Sequence, residues 1–431
     1  MKIKSLFLSG FRNIQNTRIE IDGITALVSP NNYGKSNILH GLAFAFEFIV
    51  AGERQRKAML SSKSAIPLTK VLEREPFRFE VEFHDPKFGD YAFVRYGFEL
   101  AWYRDDGQGQ RILDEWIDMR THESVKYTGY LKRGVGKYRN TKESQALRNI
   151  NLGHFQLAVD MLSAVDDLAY ANVVDSIRKL SFRSCSAIDS DRYFEPFPFE
   201  PIGVAQFSFD ALDISTLLAK LKSENSNRFF LFVEAAKNLF PEILEIEIKT
   251  VKFGEGMKFV LEKDQSNQED EDPPFKIREE LHKVYVKVKH LNQTISAEYL
   301  SEGTRRLFGL LAIMFSSDAN THLIGIEELE SSIHPRLLEQ TLNLLHENLG
   351  DLSLLVTSHS PYLIQYLKLD KIYIGVPNDE GVARFQPVQK GKMGNLVRNA
   401  DDLGLSAGEY LFELMSMGKK YEATLARYVG E

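Results

Sequence analysis

The apolar run Ile24–Val28 leads directly into a polar turn, Ser29-Pro30-Asn31-Asn32-Tyr33-Gly34-Lys35-Ser36-Asn37. That turn leads into apolar residues at helical spacing from Ile38 to Val50. A buried strand, a turn wide enough to surround a phosphate, and a helix, in that order, leave few folds open. Phosphate binding needs backbone N–H groups turned inward, a helix N-terminus, an ammonium group for the terminal phosphate oxygens and a hydroxyl for Mg2+. Gly34, Lys35 and Ser36 supply the last part of that set, flanked by Asn31 and Asn37. Ser29 stands where the usual pattern has its first glycine, a departure from the strict motif.

The pattern elsewhere supplies a scaffold for such a turn. Strands are expected around Ile3–Leu8 and Arg18–Ile21. FRFEVEF (77–83) and VRYGFELAW (94–102) alternate as strands of a partly exposed antiparallel sheet do. From Glu143 to Leu180 the spacing of Leu157, Val159, Leu162, Val165 and Leu168 predicts helix, and a second helix is expected over Arg228–Phe240, stopped by Pro241. Strands follow near Leu244–Val251 and Val284–Val288, separated by the acidic, proline-ended DQSNQEDEDPP (264–274), which reads as a mobile surface loop. From Leu300 the order is helix (Arg306–Phe315), strand (His322–Ile326), helix (Pro335–His346) and strands at Leu354–Thr357 and Lys371–Gly375. This alternation marks an α/β lobe with parallel strands. The expected organisation is an N-terminal lobe (1–130), a helical and mixed insertion (131–285) and a C-terminal lobe (286–431), with no heptad series for a long coiled-coil arm.

Three further clusters carry chemistry. Leu-Ser-Glu-Gly-Thr-Arg-Arg (300–306) precedes an apolar helix, so Ser301 and Gly303 can offer a hydroxyl and backbone N–H groups to an anion; Ser301 can equally be an ordinary helix cap. Glu327 and Glu328 end a buried strand. Alternation of strand faces lets one carboxylate reach Mg2+ and the other a nucleophilic water, while a solvated strand end is the simpler alternative. His359 follows the strand Leu354–Thr357, at the strand end where α/β folds gather ligands.

In this order, Lys35, Ser301, Glu328 and His359 resemble the Walker A, signature, Walker B and switch-histidine motifs of ABC ATPases. The intervals between the last three each leave room for one helix and one strand. LFLSGFRNI near the N-terminus, ESSIHP (330–335) and TSHSP are similar to the RecF/SMC-like branch, and most closely to the ATPase part of the OLD (overcoming lysogenization defect) family and to Septu-type defence ATPases. The resemblance covers about residues 1–50 and 290–365. It implies an ABC-type P-loop head with an antiparallel sub-lobe and a helical insertion. Lys35 would bind the β and γ phosphates of ATP, Ser36 and Glu327 the Mg2+, and Arg12 would lie near the nucleotide. Glu328 would polarise the attacking water and His359 would contact the γ phosphate. Ser301 and Gly303 would reach ATP held by a second copy, making a homodimer with ATP between the heads. Glu327 stands where the branch normally has aspartate, which predicts slow turnover. Too few residues follow His359 for the ~100-residue Toprim nuclease domain of OLD proteins. The resemblance therefore implies a separately encoded effector, a nuclease or toxin, gated in antiphage defence. A RecF-like DNA-repair ATPase and an ATP-locked scaffold are the alternatives.

Composition limits the partners. A formal charge of −7 excludes a uniformly basic nucleic-acid binder, leaving a local patch as the route to DNA. One such patch is KYTGYLKRGVGKYRNTK (126–142), with Lys126, Lys132, Arg133, Lys137, Arg139 and Lys142 interleaved with tyrosines; the alternative is a solvated loop. The most apolar window (307–315) is too short to span a bilayer, the N-terminal segment is not a secretory signal, and Cys185 is the sole cysteine. A cytoplasmic, membrane-free location is expected.

Overall fold

The helix that follows the phosphate-sized turn spans Lys35–Val50, and Ile38, Leu39, Leu42, Ala45, Phe46, Phe48 and Ile49 are all buried on it. A helix apolar over so much of its circumference must be covered on more than one side. Gly41 lets the strand Lys2–Ser9 approach so closely that a Cβ there would lie 2.6 Å from Leu8. Phe46 meets Phe79 at 5.4 Å on one side and Phe182 at 5.8 Å on another, and Phe48 stacks on Phe98 at 5.1 Å. The computed structural model describes residues 1–67, 69–142, 147–185, 194, 199–201, 213–252, 275–278, 280–317, 321–376, 380–416 and 419–429.

Two sheets enclose this helix. The first is antiparallel and eight-stranded, in the order Thr17–Glu20, Lys2–Ser9, Phe77–His84, Phe93–Ala101, Arg111–Arg120, Thr128–Lys132, Lys137–Tyr138 and Arg148–Asn149. The second has the order Ser181–Cys185, Thr321–Ile326, Ser353–Ser358, Ile24–Val28, Ile372–Gly375 and Phe385–Pro387. Thr321–Ile326, Ser353–Ser358, Ile24–Val28 and Ile372–Gly375 run parallel to one another, and Phe385–Pro387 pairs antiparallel at the edge. The four parallel strands are buried at every position, which explains why they read as mostly apolar runs and not as alternating ones.

The chain divides into two compact units. One comprises Met1–Ser184, Ala319–Leu329 and His346–Glu431; the other comprises Cys185–Asp318 and Glu330–Leu345. The boundaries expected from the sequence lie at 130 and 285. The stretch 131–184 belongs with the first unit because its apolar residues, Leu157, Val159, Leu162, Val173 and Ile177, join that unit's core. The expected long helix over Glu143–Leu180 is instead two short ones, Ala158–Leu162 and Ala171–Arg178, with residues 143–146 outside the described set. Tertiary hydrogen bonds override the local pattern: Asn140 donates to Asp167 O at 2.9 Å and accepts from the Ala169 amide at 3.2 Å, fixing the turn between the helices.

A buried polar chain braces this region. Arg56, fully buried, donates to the carbonyls of Phe48 and Ile49 at 2.9 Å each, closing the C-terminal end of the Lys35–Val50 helix, and pairs with Asp160. Glu115 accepts from the amides of Ala158 and Val159 and from the Tyr96 hydroxyl. Burial pushes its carboxyl up to about 7 against the opposing pull of those amides.

In the second unit, helices Ile214–Glu224 and Ser226–Leu239 pack on the helix Glu302–Ser316, with Phe232 edge-on to Phe308 at 5.1 Å. An antiparallel sheet of Ile243–Lys252, Glu280–Val288 and Ile295–Ser296 lies in the same unit. The acidic segment 264–274 lies outside the described residues.

Candidate functional site

The parallel register decides which residues can meet. Ile326 pairs with Val356, and Val28 pairs with Ser358, so the segments following these three strands emerge at one edge of the sheet. Ser29–Gly34, Glu327–Glu328 and His359 all lie there, the position at which open α/β sheets bind ligands.

The turn itself is held in a left-handed path, with φ of +59° at Asn32 and +130° at Gly34. At Gly34 a Cβ would lie 2.9 Å from Ala383 and 3.0 Å from the Asn13 amide oxygen, so only glycine fits. Gly34 is also the helix N-cap, so no side chain covers the first-turn amides. Asn13 braces the loop, accepting from Asn37 at 2.8 Å and donating to the Tyr33 carbonyl at 3.0 Å. Arg12, itself at φ +50°, donates to Asn37 at 2.7 Å, to Ser64 O at 2.7 Å, and reaches His40 at 2.8 Å. Burial lowers the Arg12 pKa from its ordinary value. Asn31 and Ser36 are exposed on the loop and the first helical turn.

Lys35 is 6% exposed and folds back over the loop. Its ammonium donates to Ser29 O at 2.8 Å, Pro30 O at 3.1 Å and Ser29 Oγ at 3.2 Å. The serine in place of glycine thus adds a hydroxyl ligand for the lysine. Lys35 Nζ also lies 3.4 Å from His359 Nδ1, and His359 Nε2 lies 3.7 Å from Glu328 Oε1. The structure therefore links Lys35, His359 and Glu328 in one chain of polar contacts, with Glu328 half exposed at the solvent side. Glu328 has φ of +46° and donates its amide to Thr357 Oγ1 at 3.1 Å. Neither Thr357 nor Asn13 stood out in the sequence, although both lie inside motifs read for a neighbour, TSHSP for His359 and GFRN for Arg12.

Ser301 and Gly303 sit in the second unit. Ser301 caps the helix Glu302–Ser316, accepting from the Thr304 amide at 3.3 Å and sharing a 2.7 Å hydroxyl contact with Thr304. A Cβ on Gly303 would lie 2.3 Å from the Ser332 carbonyl, and Ser332 donates to Glu302 at 2.6 Å. These residues and His334 line a cavity of about 350 Å³. The helix-cap role of Ser301 is thus realised.

Part of the basic segment 126–142 belongs to the antiparallel sheet. Thr128–Lys132 is a sheet strand, Lys132 pairs with Asp114 at 2.8 Å, and Lys142 pairs with Asp90 at 3.3 Å. Arg133 donates to the carbonyls of Gln156 and Gly153. Tyr130 and Tyr138 are buried, and Tyr127 donates to Glu82 beneath Arg95 and Arg120. Sheet packing has claimed the tyrosines, and much of the cationic charge is answered internally.

A family described as "AAA domain, putative AbiEii toxin, Type IV TA system" matches residues 187–365, which include Ser301, Glu327, Glu328 and His359. The chromosome partition protein Smc of Methanococcus voltae is 30% identical over 34% of this chain. The match spans only 12% of that protein's length. Among solved structures, an SMC head bound to the C-terminal winged-helix domain of ScpA superposes with a TM-score of 0.50 at 14% identity, over 92% of this chain and all of that one. The fold is that of an ABC-type ATPase head. The SMC head of Thermotoga maritima is also similar, with a TM-score of 0.42 at 15% identity over 90% of this chain and all of that one.

Lys35, Gly34 and the first-turn amides could hold a phosphate group. Among the described residues no group of three or more His, Cys, Asp or Glu could hold a metal by itself. Ser36 is exposed and Glu327 is half-buried at the same sheet edge. No helix among the described residues is long and apolar enough to cross a membrane.

Proposed function

We propose that this chain binds and hydrolyses ATP between two copies of itself, and that closure of the pair gates a separately encoded nuclease or toxin in cytoplasmic antiphage defence, as in OLD and Septu systems. The contact chain Lys35–His359–Glu328 carries this reading, because it gathers a phosphate-binding cation, a γ-phosphate contact and a carboxylate base at one sheet edge. Lys35 leaves the loop carbonyls for the β and γ oxygens, His359 contacts the γ phosphate, and Glu328 takes the proton of the attacking water. Ser36 and Glu327 would hold Mg2+, which neutralises charge on the phosphate oxygens. Ser301 and Gly303 of the second copy complete the γ-phosphate site from the helix N-terminus. The matched family is described as a toxin of a toxin–antitoxin system, and the solved SMC head carries a bound partner. Both descriptions suit a head that works through another polypeptide. An ATP-locked scaffold is the second reading, favoured by the extra Ser29 hydroxyl on Lys35.

Light scattering of Glu328→Gln tests the dimer: its mass is expected to double on adding ATP. Mixing Lys35→Ala with Ser301→Arg creates one intact composite site, and part of the ATPase activity lost in each variant is expected to return. A Glu328→Gln mass indifferent to ATP, together with wild-type behaviour of Ser301→Arg, would refute the composite site.

A further inference from the structure

Glu328 occupies a backbone conformation that an acid with a long side chain adopts only when its surroundings impose it, with φ at +46°. The contact that imposes it is visible: the Glu328 amide donates to Thr357 Oγ1 at 3.1 Å. Thr357 is 1% exposed and lies on the strand Ser353–Ser358, parallel and adjacent to the strand Thr321–Ile326 that delivers Glu328. His359 follows two residues after Thr357 on the same segment, so the base and the histidine that faces it at 3.7 Å are both referenced to one strand.

We propose that Thr357 is a positioning residue, whose hydroxyl locks Glu328 into its left-handed turn and so aims the carboxylate at His359 and the attacking water. The role of Glu328 as base rests on the function proposed above; the lock itself does not. Without the acceptor, the Glu328 amide loses this hydrogen bond and the turn relaxes toward ordinary φ, swinging the carboxylate away. Nucleotide binding depends on the loop at Lys35; Thr357 meets the strand before that loop through its backbone, in register with Leu27, so removing its hydroxyl costs turnover and not affinity.

Thr357→Val keeps the branched shape and removes the acceptor, whereas Thr357→Ser keeps the hydroxyl. Hydrogen exchange of the Glu328 amide is measured on nucleotide-free protein, and ATP affinity and turnover are measured in parallel. In Thr357→Val the amide is expected to exchange about tenfold faster. Its turnover is expected to drop on the order of 10- to 100-fold, with ATP affinity within about twofold of wild type. Thr357→Ser is expected to match wild type in all three. Wild-type protection of the Glu328 amide in Thr357→Val overturns the proposal, as does ATP affinity falling in step with turnover. If wild type itself shows no turnover, the proposed function fails and the exchange measurement alone decides the lock. Should valine unfold the strand, Thr357→Cys, whose thiol is a poor acceptor, repeats the test.

Discussion

Replacing Glu115 by glutamine removes a titrating group that the native fold disfavours in its charged form. Burial raises this carboxyl from its ordinary 4.5 to about 7, despite the amides of Ala158 and Val159 and the Tyr96 hydroxyl that favour the anion. Between those two values the native state binds a proton that the unfolded chain has released. The stabilisation is therefore complete below pH 4.5 and is lost as pH rises through 7. At about 1.4 kcal/mol per pH unit, wild type loses roughly 3 kcal/mol across this window from Glu115 alone. The variant has no such dependence. Its amide nitrogen faces one backbone N–H as a poor match, but that penalty is the same at every pH. The chain's two tryptophans, Trp102 and Trp116, belong to the unit that contains Glu115, so fluorescence reports its unfolding directly. Urea titrations at pH 5, 6, 7 and 8 are expected to show wild-type stability falling by about 2–3 kcal/mol relative to Glu115→Gln. Parallel curves, within about 0.5 kcal/mol at all four values, would refute the assignment of a buried carboxyl held largely neutral.

Two other perturbations bear on the phosphate site. Lys35→Ala removes the ammonium that the loop carbonyls hold in place, and calorimetry is expected to show ATP affinity reduced by at least about 30-fold. Gly303→Ala forces a methyl to 2.3 Å from the Ser332 carbonyl. It is expected to abolish ATP-driven pairing in light scattering while one-copy ATP binding, which uses Lys35, persists.

Much of the first unit was legible because its strands announce themselves. Ile24–Val28, Thr321–Ile326 and Ser353–Ser358 are buried on both faces and therefore mostly apolar, and the spacing of Phe77–His84 betrays a sheet covered on one side. Lys35, Glu328 and His359 could be picked out because each sits where a strand ends, and the structure places them in contact. The stretch 143–180 was misread because its apolar spacing is genuine while the hydrogen bonds of Asn140 bend the chain between the two helices, and such bonds leave no periodic trace. The pairing of the basic segment was hidden for a related reason. Its lysines look free in sequence, but Asp114 and Asp90 lie nearby only after the sheet has formed. Thr357 was invisible because a threonine in a strand is ordinary, and its role appears only with the φ of Glu328.

The strand order also governs when the site can come into being during synthesis. Ile24–Val28 is an interior strand whose two neighbours, Ser353–Ser358 and Ile372–Gly375, are the last parallel strands of the sheet to be made. When the turn 29–34 has left the ribosome, neither strand that pairs with Ile24–Val28 has been made, since Ile24 must wait for Leu354 and Val28 for Ile374. Closing loops of this length makes sheet formation slow, and apolar strands are exposed in the interval. The loop that carries Lys35 thus lacks its strand support until the Glu328 and His359 segments have also emerged.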